Sequence, residues 1–329
     1  MCFLPRRCPI RNPWQPFSAT KNEPMMHRTD AGYETMQTIE SIKGSIQTAD
    51  DLHSVVKSMK ALAAVNIRQF EKAVESLAEY NRTVEMGLHI LLRYKPGVMS
   101  QAKPAVMDRL GAVVFGSDQG MCGQLNDQIV SHAVKILEHT GVKLADRTLL
   151  AVGLRVAGRL EDTGHSVEEY LSVPNSKGGI TASVQDLVMI MEEWHVKKNI
   201  DRIVLFYSKH LSGASYRPHA LDLLPVNEKW LRDIEQRDWP TQRLPIFTME
   251  WDQLFSRLMH HYLFVSIYRA FAESLASENA SRLASMQGAE KNIEERLGEL
   301  STRYHRQRQM SITEELLDII SGFSALEFD

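Results

Sequence analysis

About the last 80 residues of this chain read as one uninterrupted α-helix, and no other feature limits its fold so strongly. From Trp251 to about Phe323 there is no proline, and Leu254, Leu258, Val265, Tyr268, Ala272, Leu275, Leu283, Met286, Ile293, Leu297, Leu300 and Tyr304 recur at alternating steps of three and four. A helix of roughly 70 residues spans about 100 Å, so it must project, and its apolar seam needs a partner helix. The seam slips between Ala272 and Leu283, a stutter that predicts a rigid rod with local relaxation of its supercoil.

The partner is expected in the same chain. From Ile39 to about Leu92 a second proline-free seam, including Ile42, Ile46, Val56, Ala63, Ile67, Phe70, Val74, Leu77, Val84, Leu88 and Leu91, keeps the same rhythm, and Pro96 with Gly97 ends it. His53, Lys60 and Asn81 fall on seam positions and read as devices that fix register rather than as ligands.

Between the helices the period changes. Short apolar runs at Ala112 to Phe115, Leu149 to Val152, Val167 to Val173 and Ile203 to Tyr207 alternate with helical patterns near Leu125 to Leu137 and Val184 to Val196. The expected class is α/β: an antiparallel coiled coil of long terminal helices with an inserted, Rossmann-like domain on a largely parallel sheet. The expected division is a leader at 1–35, an N-terminal helix at 36–97, the α/β domain at 105–250 and the C-terminal helix at 251–326. The leader holds five of the twelve prolines, Cys2 and Cys8, and reads as disordered or as an upstream extension of a chain that starts at Met36. It contains no apolar stretch long enough for a signal peptide or a membrane span.

A net charge of −3 gives no reason to expect nucleic acid. With the leader set aside, Cys122 is the only cysteine, which fits a reducing compartment. Chemistry is sparse. The loop Gly116-Ser117-Asp118-Gln119-Gly120-Met121-Cys122-Gly123 sits where phosphate-binding loops sit, but it lacks both the Lys-Ser/Thr of a P-loop and the three-glycine dinucleotide spacing. Cys122 reads as a small buried thiol. Ser54-Val55-Val56-Lys57 matches Ser-x-x-Lys without its companion motifs, and His260-His261 lacks the spacing for one metal. No catalytic residue, metal ligand or cofactor is expected.

Four segments carry a resemblance: Val56-Lys57-Ser58-Met59-Lys60-Ala61-Leu62-Ala63-Ala64; Ser117 to Asn126; Ser274-Leu275-Ala276-Ser277-Glu278-Asn279-Ala280-Ser281-Arg282-Leu283-Ala284-Ser285-Met286; and Tyr304 to Leu316, reading YHRQRQMSITEEL. In order and spacing, over residues 36–326, they resemble the γ subunit of F-type ATP synthases. The resemblance implies a rotor shaft standing in an α3β3 head of alpha and beta subunits. It also implies a Rossmann-like domain near the ring of c subunits, contact with the epsilon subunit, no active site, and peripheral attachment at the cytoplasmic face of a bacterial plasma membrane. Carried onto matching positions, Arg308 and Gln309 resemble the family's contact with the β subunit, with Thr313 and Glu315 in the same segment and Met59 and Lys60 on the other helix. A fork-shaped cation beside an amide suits a carboxylate-bearing loop.

This chain also departs from the family. Gln119 stands where the family has Arg in Asp-Arg-Gly-Leu-Cys-Gly, and the run Lys60 to Glu71 looks more like the N-type branch, thought to pump ions, often Na⁺. Two other classes stay open from the residues alone. One is a freestanding nucleotide-binding enzyme dimerised by its coiled coil, the other a structural adaptor.

Overall fold

A computed structural model describes residues 38–95, 109–239 and 245–326. The 1–35 leader and the alternative start at Met36 lie outside these residues. In chain order the elements are α1 (Ile39–Tyr94), β1 (Leu110–Phe115), α2 (Leu125–His139), β2 (Arg147–Val152), α3 (Leu154–Asp162), β3 (Glu169–Leu171), α4 (Ile180–Lys198), β4 (Arg202–Ser212), β5 (Ser215–Leu224), α5 (Glu228–Gln236) and α6 (Trp251–Leu326).

The two proline-free seams pair with each other. Contacts run from Leu91 with Trp251, through Tyr80 with His261 and Asn66 with Asn279, to Lys60 with Glu290. Numbers rise on one helix as they fall on the other, so the coiled coil is antiparallel. The Trp251 indole donates to the Leu91 carbonyl at 2.9 Å and locks the base of the pair. There α5 packs across both helices, with Leu231 and Ile234 against Val84, Leu88 and Leu92.

The sheet has the order β3-β2-β1-β4-β5. The first four strands are parallel and β5 returns antiparallel along β4. Both faces of β1 are buried, and its side chains split with a period of two. Ala112 and Val114 face α2 and α3, whereas Val113 and Phe115 face α4 and the coiled coil. The expected α/β class with long terminal helices is therefore observed.

The stutter in the C-terminal seam has a specific cause. Every residue of α6 from Ala270 to Ser281 is buried. Along this stretch the helix is packed by α1, by the sheet and by the β1–α2 loop, so a two-helix seam no longer describes it. Small residues permit the approach: Ser277 donates to the Ser208 carbonyl at 2.8 Å, and Phe271 meets Phe115 edge-on at 4.9 Å between ring centroids.

Candidate partner-binding site

Helix α1 runs out before its partner does. His53 lies 3.5 Å from Glu294, and extending that register by the turns left on α1 brings Ile39 opposite a point near Arg308. Among the described residues, the remaining eighteen or so of α6, roughly 27 Å, run on past the end of α1. On this overhang Leu316, Leu317, Ile319, Ile320 and Phe323 are 54–70% exposed. An exposed apolar surface of that extent is the kind that packs against another surface.

Arg308 and Gln309 stand where α6 leaves α1. Both are exposed, and among the described residues Arg308 makes no ion pair. Thr313 is exposed as well, its hydroxyl donating to the Gln309 carbonyl at 2.8 Å within the helix, and Glu315 points to solvent one turn beyond Ile312. These four lie within about two turns of one segment of α6. Met59 and Lys60 do not join it, because Lys60 pairs across the seam with Glu290, eighteen positions and about 27 Å before Arg308. That hydrogen bond from Lys60 holds the Glu290 carboxyl below the usual carboxylate range.

Of the three register devices on the seam, Lys60 forms an ion pair across it with Glu290. His53, Glu290 and Glu294 bring their ligand atoms within 4.8 Å of one another, but Lys60 already engages Glu290, and we read the group as cross-seam polar contacts. Asn81 donates to Glu85 on its own helix at 2.8 Å. The cross-seam amide pair is instead Asn66 with Asn279 at 3.3 Å, which the polar positions in the sequence did not single out.

The β1–α2 loop spends its carboxylate on the neighbouring helix α3. In parallel α/β sheets phosphates rest on free backbone amides at helix N-termini. At the start of α3 those amides are already taken: the Leu154 N–H donates to Asp118 Oδ1 at 2.8 Å, and the Arg155 N–H to the Ser117 carbonyl at 2.9 Å. Asp118 also accepts from the Tyr170 hydroxyl at 2.6 Å and the Val173 N–H at 2.8 Å, and the bond from the hydroxyl raises the Tyr170 pKa. The Asp118 carboxylate thus joins the start of α3 to the β3 region.

The same loop fastens the sheet to α6. Ser117 and Asn126 exchange hydrogen bonds at 2.9 and 3.1 Å around a buried Cys122, whose thiol lies 3.3 Å from the Ser117 hydroxyl. Met121 and Gly123 have φ of 61° and 56° and turn the chain toward α6. Beside them Glu278 and Arg282 form a 2.6 Å ion pair, and burial pushes the Glu278 pKa up, with Arg282 opposing the shift. Gln119, at the place of the family's arginine, uses its carbonyl to accept from Ser117 at 2.9 Å.

Among the described residues, no helix is long and apolar enough to cross a membrane. A family model described as ATP synthase matches residues 38–326. The ATP synthase gamma chain of Buchnera aphidicola from Acyrthosiphon pisum is 26% identical over 298 residues, covering 89% of this chain and 100% of that protein. That of Trichormus variabilis is 26% identical over 319 residues, covering 88% and 100%. Among solved structures, the Euglena gracilis mitochondrial ATP synthase, described as OSCP/F1/c-ring in rotational state 3, contains a chain that aligns with a TM-score of 0.58 at 18% identity, over 88% of this chain and 94% of that one. The Tetrahymena thermophila central stalk and c-ring assembly gives 0.52 at 22% identity, over 71% and 99%.

Proposed function

The chain belongs to the ATP synthase gamma-chain family, and from that premise we propose that it is the central-stalk rotor of a membrane rotary ATPase. In this reading α1 and α6 form the shaft that stands in an α3β3 head, while the sheet domain meets epsilon and the c-subunit ring. The chain carries no active site: it couples ATP synthesis or hydrolysis on the beta subunits to H⁺ or Na⁺ movement, attached peripherally at the cytoplasmic face of the membrane. Arg308, Gln309, Thr313 and Glu315 form the contact with beta where α6 emerges from the pair, and Met59 and Lys60 lie on a second contact lower on the shaft. The run Lys60 to Glu71 supports the N-type branch.

One observation carries this reading. A helix that outlasts its partner by about eighteen residues, apolar at its tip and polar at Arg308 and Gln309 where the overhang begins, suits insertion into a sleeve built by other chains. Asp118 accepts from the Leu154 N–H and so keeps that α3 amide from a phosphate, which weighs against the freestanding nucleotide-binding enzyme. The test is co-expression with the alpha and beta subunits of the same source, followed by sizing and an ATPase assay. One copy co-eluting with an active α3β3 assembly is the expected result. Elution apart from that assembly would overturn the rotor reading and leave the adaptor.

A further inference from the structure

His53 on α1 brings a ring nitrogen to two carboxylates of α6, and no hydrogen bond accounts for the approach. Its Nε2 is buried and has no hydrogen-bond partner among the described residues, although Glu294 Oε1 lies 3.5 Å away. Glu290 and Glu294 are four positions apart and so stand one above the other on the side of α6 nearest His53. The donor atoms of the three side chains all lie within 4.8 Å of one another.

Such a convergence wants a positive charge at its centre. Nε2 of a neutral imidazole carries either a hydrogen or a lone pair, and a lone pair beside a carboxylate oxygen is repelled unless a cation lies between them. A proton there would serve Glu294 alone, and the 3.5 Å contact is not a hydrogen bond. Lys60 supplies a cation to Glu290, and Lys57, the other ammonium whose charge reaches Glu290, is exposed. Among the described residues Glu294 has no partner but His53. One imidazole nitrogen with two carboxylate oxygens suits Zn²⁺ better than Mg²⁺ or Ca²⁺, which favour oxygen alone. The spacing fits as well. Two atoms bound at about 2.1 Å to a tetrahedral ion lie about 3.4 Å apart, close to the 3.5 Å between His53 and Glu294. Glu290, on a flexible side chain, closes the remaining gap by a change of rotamer.

We propose that His53, Glu290 and Glu294 bind a divalent transition-metal ion of the Zn²⁺ class across the seam, with water completing its shell. Binding draws Glu290 away from the Lys60 ammonium, so metal and lysine compete for one carboxylate. His53 stands fourteen residues, about 21 Å, from the start of α1. A loaded site therefore clamps the two helices close to the point where α6 runs on alone. The inference is independent of the rotor reading, since all three ligands belong to one chain.

The test is a calorimetric titration of the full-length chain with ZnCl₂, in a Cys2→Ser, Cys8→Ser background so that the leader thiols do not take up the metal. One saturable equivalent that depends on His53 is expected, and it raises the melting temperature. Affinity falls about ten-fold or more in His53→Gln and in Glu294→Gln, since losing even a group that only supports a ligand costs that much. Lys60→Met removes the competitor and binds more tightly, and Mg²⁺ at equal concentration displaces no Zn²⁺. Melting curves without metal identify the folded variants, and substitutions on both helices guard against one that misfolds. Absence of saturable binding overturns the proposal. So does unchanged affinity in a folded His53 or Glu294 variant, unchanged or weaker binding by Lys60→Met, or displacement by Mg²⁺.

Discussion

The Ser281 hydroxyl donates to the backbone carbonyl of Cys122 at 2.5 Å, joining the middle of a 76-residue helix to the turn after the first strand. Both residues are buried, and the carbonyl also accepts from the Leu125 N–H at 3.3 Å, so removing the hydroxyl takes one of its two donors. Ser281→Ala is expected to lower stability by about 1 kcal/mol, the net contribution of one intramolecular hydrogen bond. Chemical denaturation of the variant against wild type measures it, and an unchanged midpoint would show that the fastening contributes nothing.

Gly153 is the sharper structural test. Its φ is 117°, and a Cβ there would meet backbone atoms of Ser117 at 2.8 Å. Backbone cannot move aside as a flexible side chain does, so Gly153→Ala is expected to cost roughly 3 kcal/mol or more. Soluble yield and melting temperature report it. Gly141→Ala, at φ 71° with open space around the added carbon, should cost distinctly less.

Glu278 predicts a pH dependence of definite sign. Its folded-state pKa is raised above 4.5, chiefly by burial, so the folded chain holds that proton more tightly than the unfolded chain does. The stabilisation is complete below the unfolded value and is lost as pH rises through the folded one. Glu278→Gln should therefore flatten the stability–pH curve from about pH 4.5 upward. Arg282→Met removes the opposing charge and should steepen it. Melting temperatures across the acid range measure both, and superimposable curves for wild type and Glu278→Gln would refute the assignment.

The Arg308 and Gln309 side chains are exposed and make no ion pair or hydrogen bond among the described residues, so the pair Arg308→Ala and Gln309→Ala should leave the melting of the isolated chain unchanged. In the complex the same pair should weaken assembly or coupling about ten-fold, as removal of charge-assisted contacts at an interface does. The proposed contact fails if ATPase activity, pumping and complex yield all stay at wild-type levels.

Asn66 and Asn279 meet across the seam, where an amide pair fixes register at a cost in stability. Asn66→Leu with Asn279→Leu is expected to raise the melting temperature while broadening the distribution of distances between spin labels on α1 and α6. A sharp, unshifted distribution would mean that register is set elsewhere.

Both long helices were legible because only paired helices sustain proline-free three-four periodicity over so many turns, and the strands β1, β2 and β4 were legible as β-branched runs. β5 was not. Pro218 interrupts its pattern, and that is tolerated because β5 is an edge strand. The nine-residue helices α3 and α5 are too short for their period to stand out. At the candidate site the motif located Arg308 and Gln309, but only the paired register places them at the end of the two-helix segment. Asp118 was visible as part of a loop, whereas the three groups that donate to it come from α3 and from the β3 region, up to 55 positions away.

From Trp251 to Leu326 the backbone passes from the sheet-packed segment to the exposed tip without one loop residue. Helical hydrogen bonds alone carry the load along that path, and Ser277 and Ser281 tie it to β4 and to the β1–α2 loop. The molecule has an axle with its hub keyed to it, and no joint lies between them. A twist applied at the tip reaches the strands as rotation of the whole piece, delayed only by the elastic give of a single helix where α1 no longer braces it.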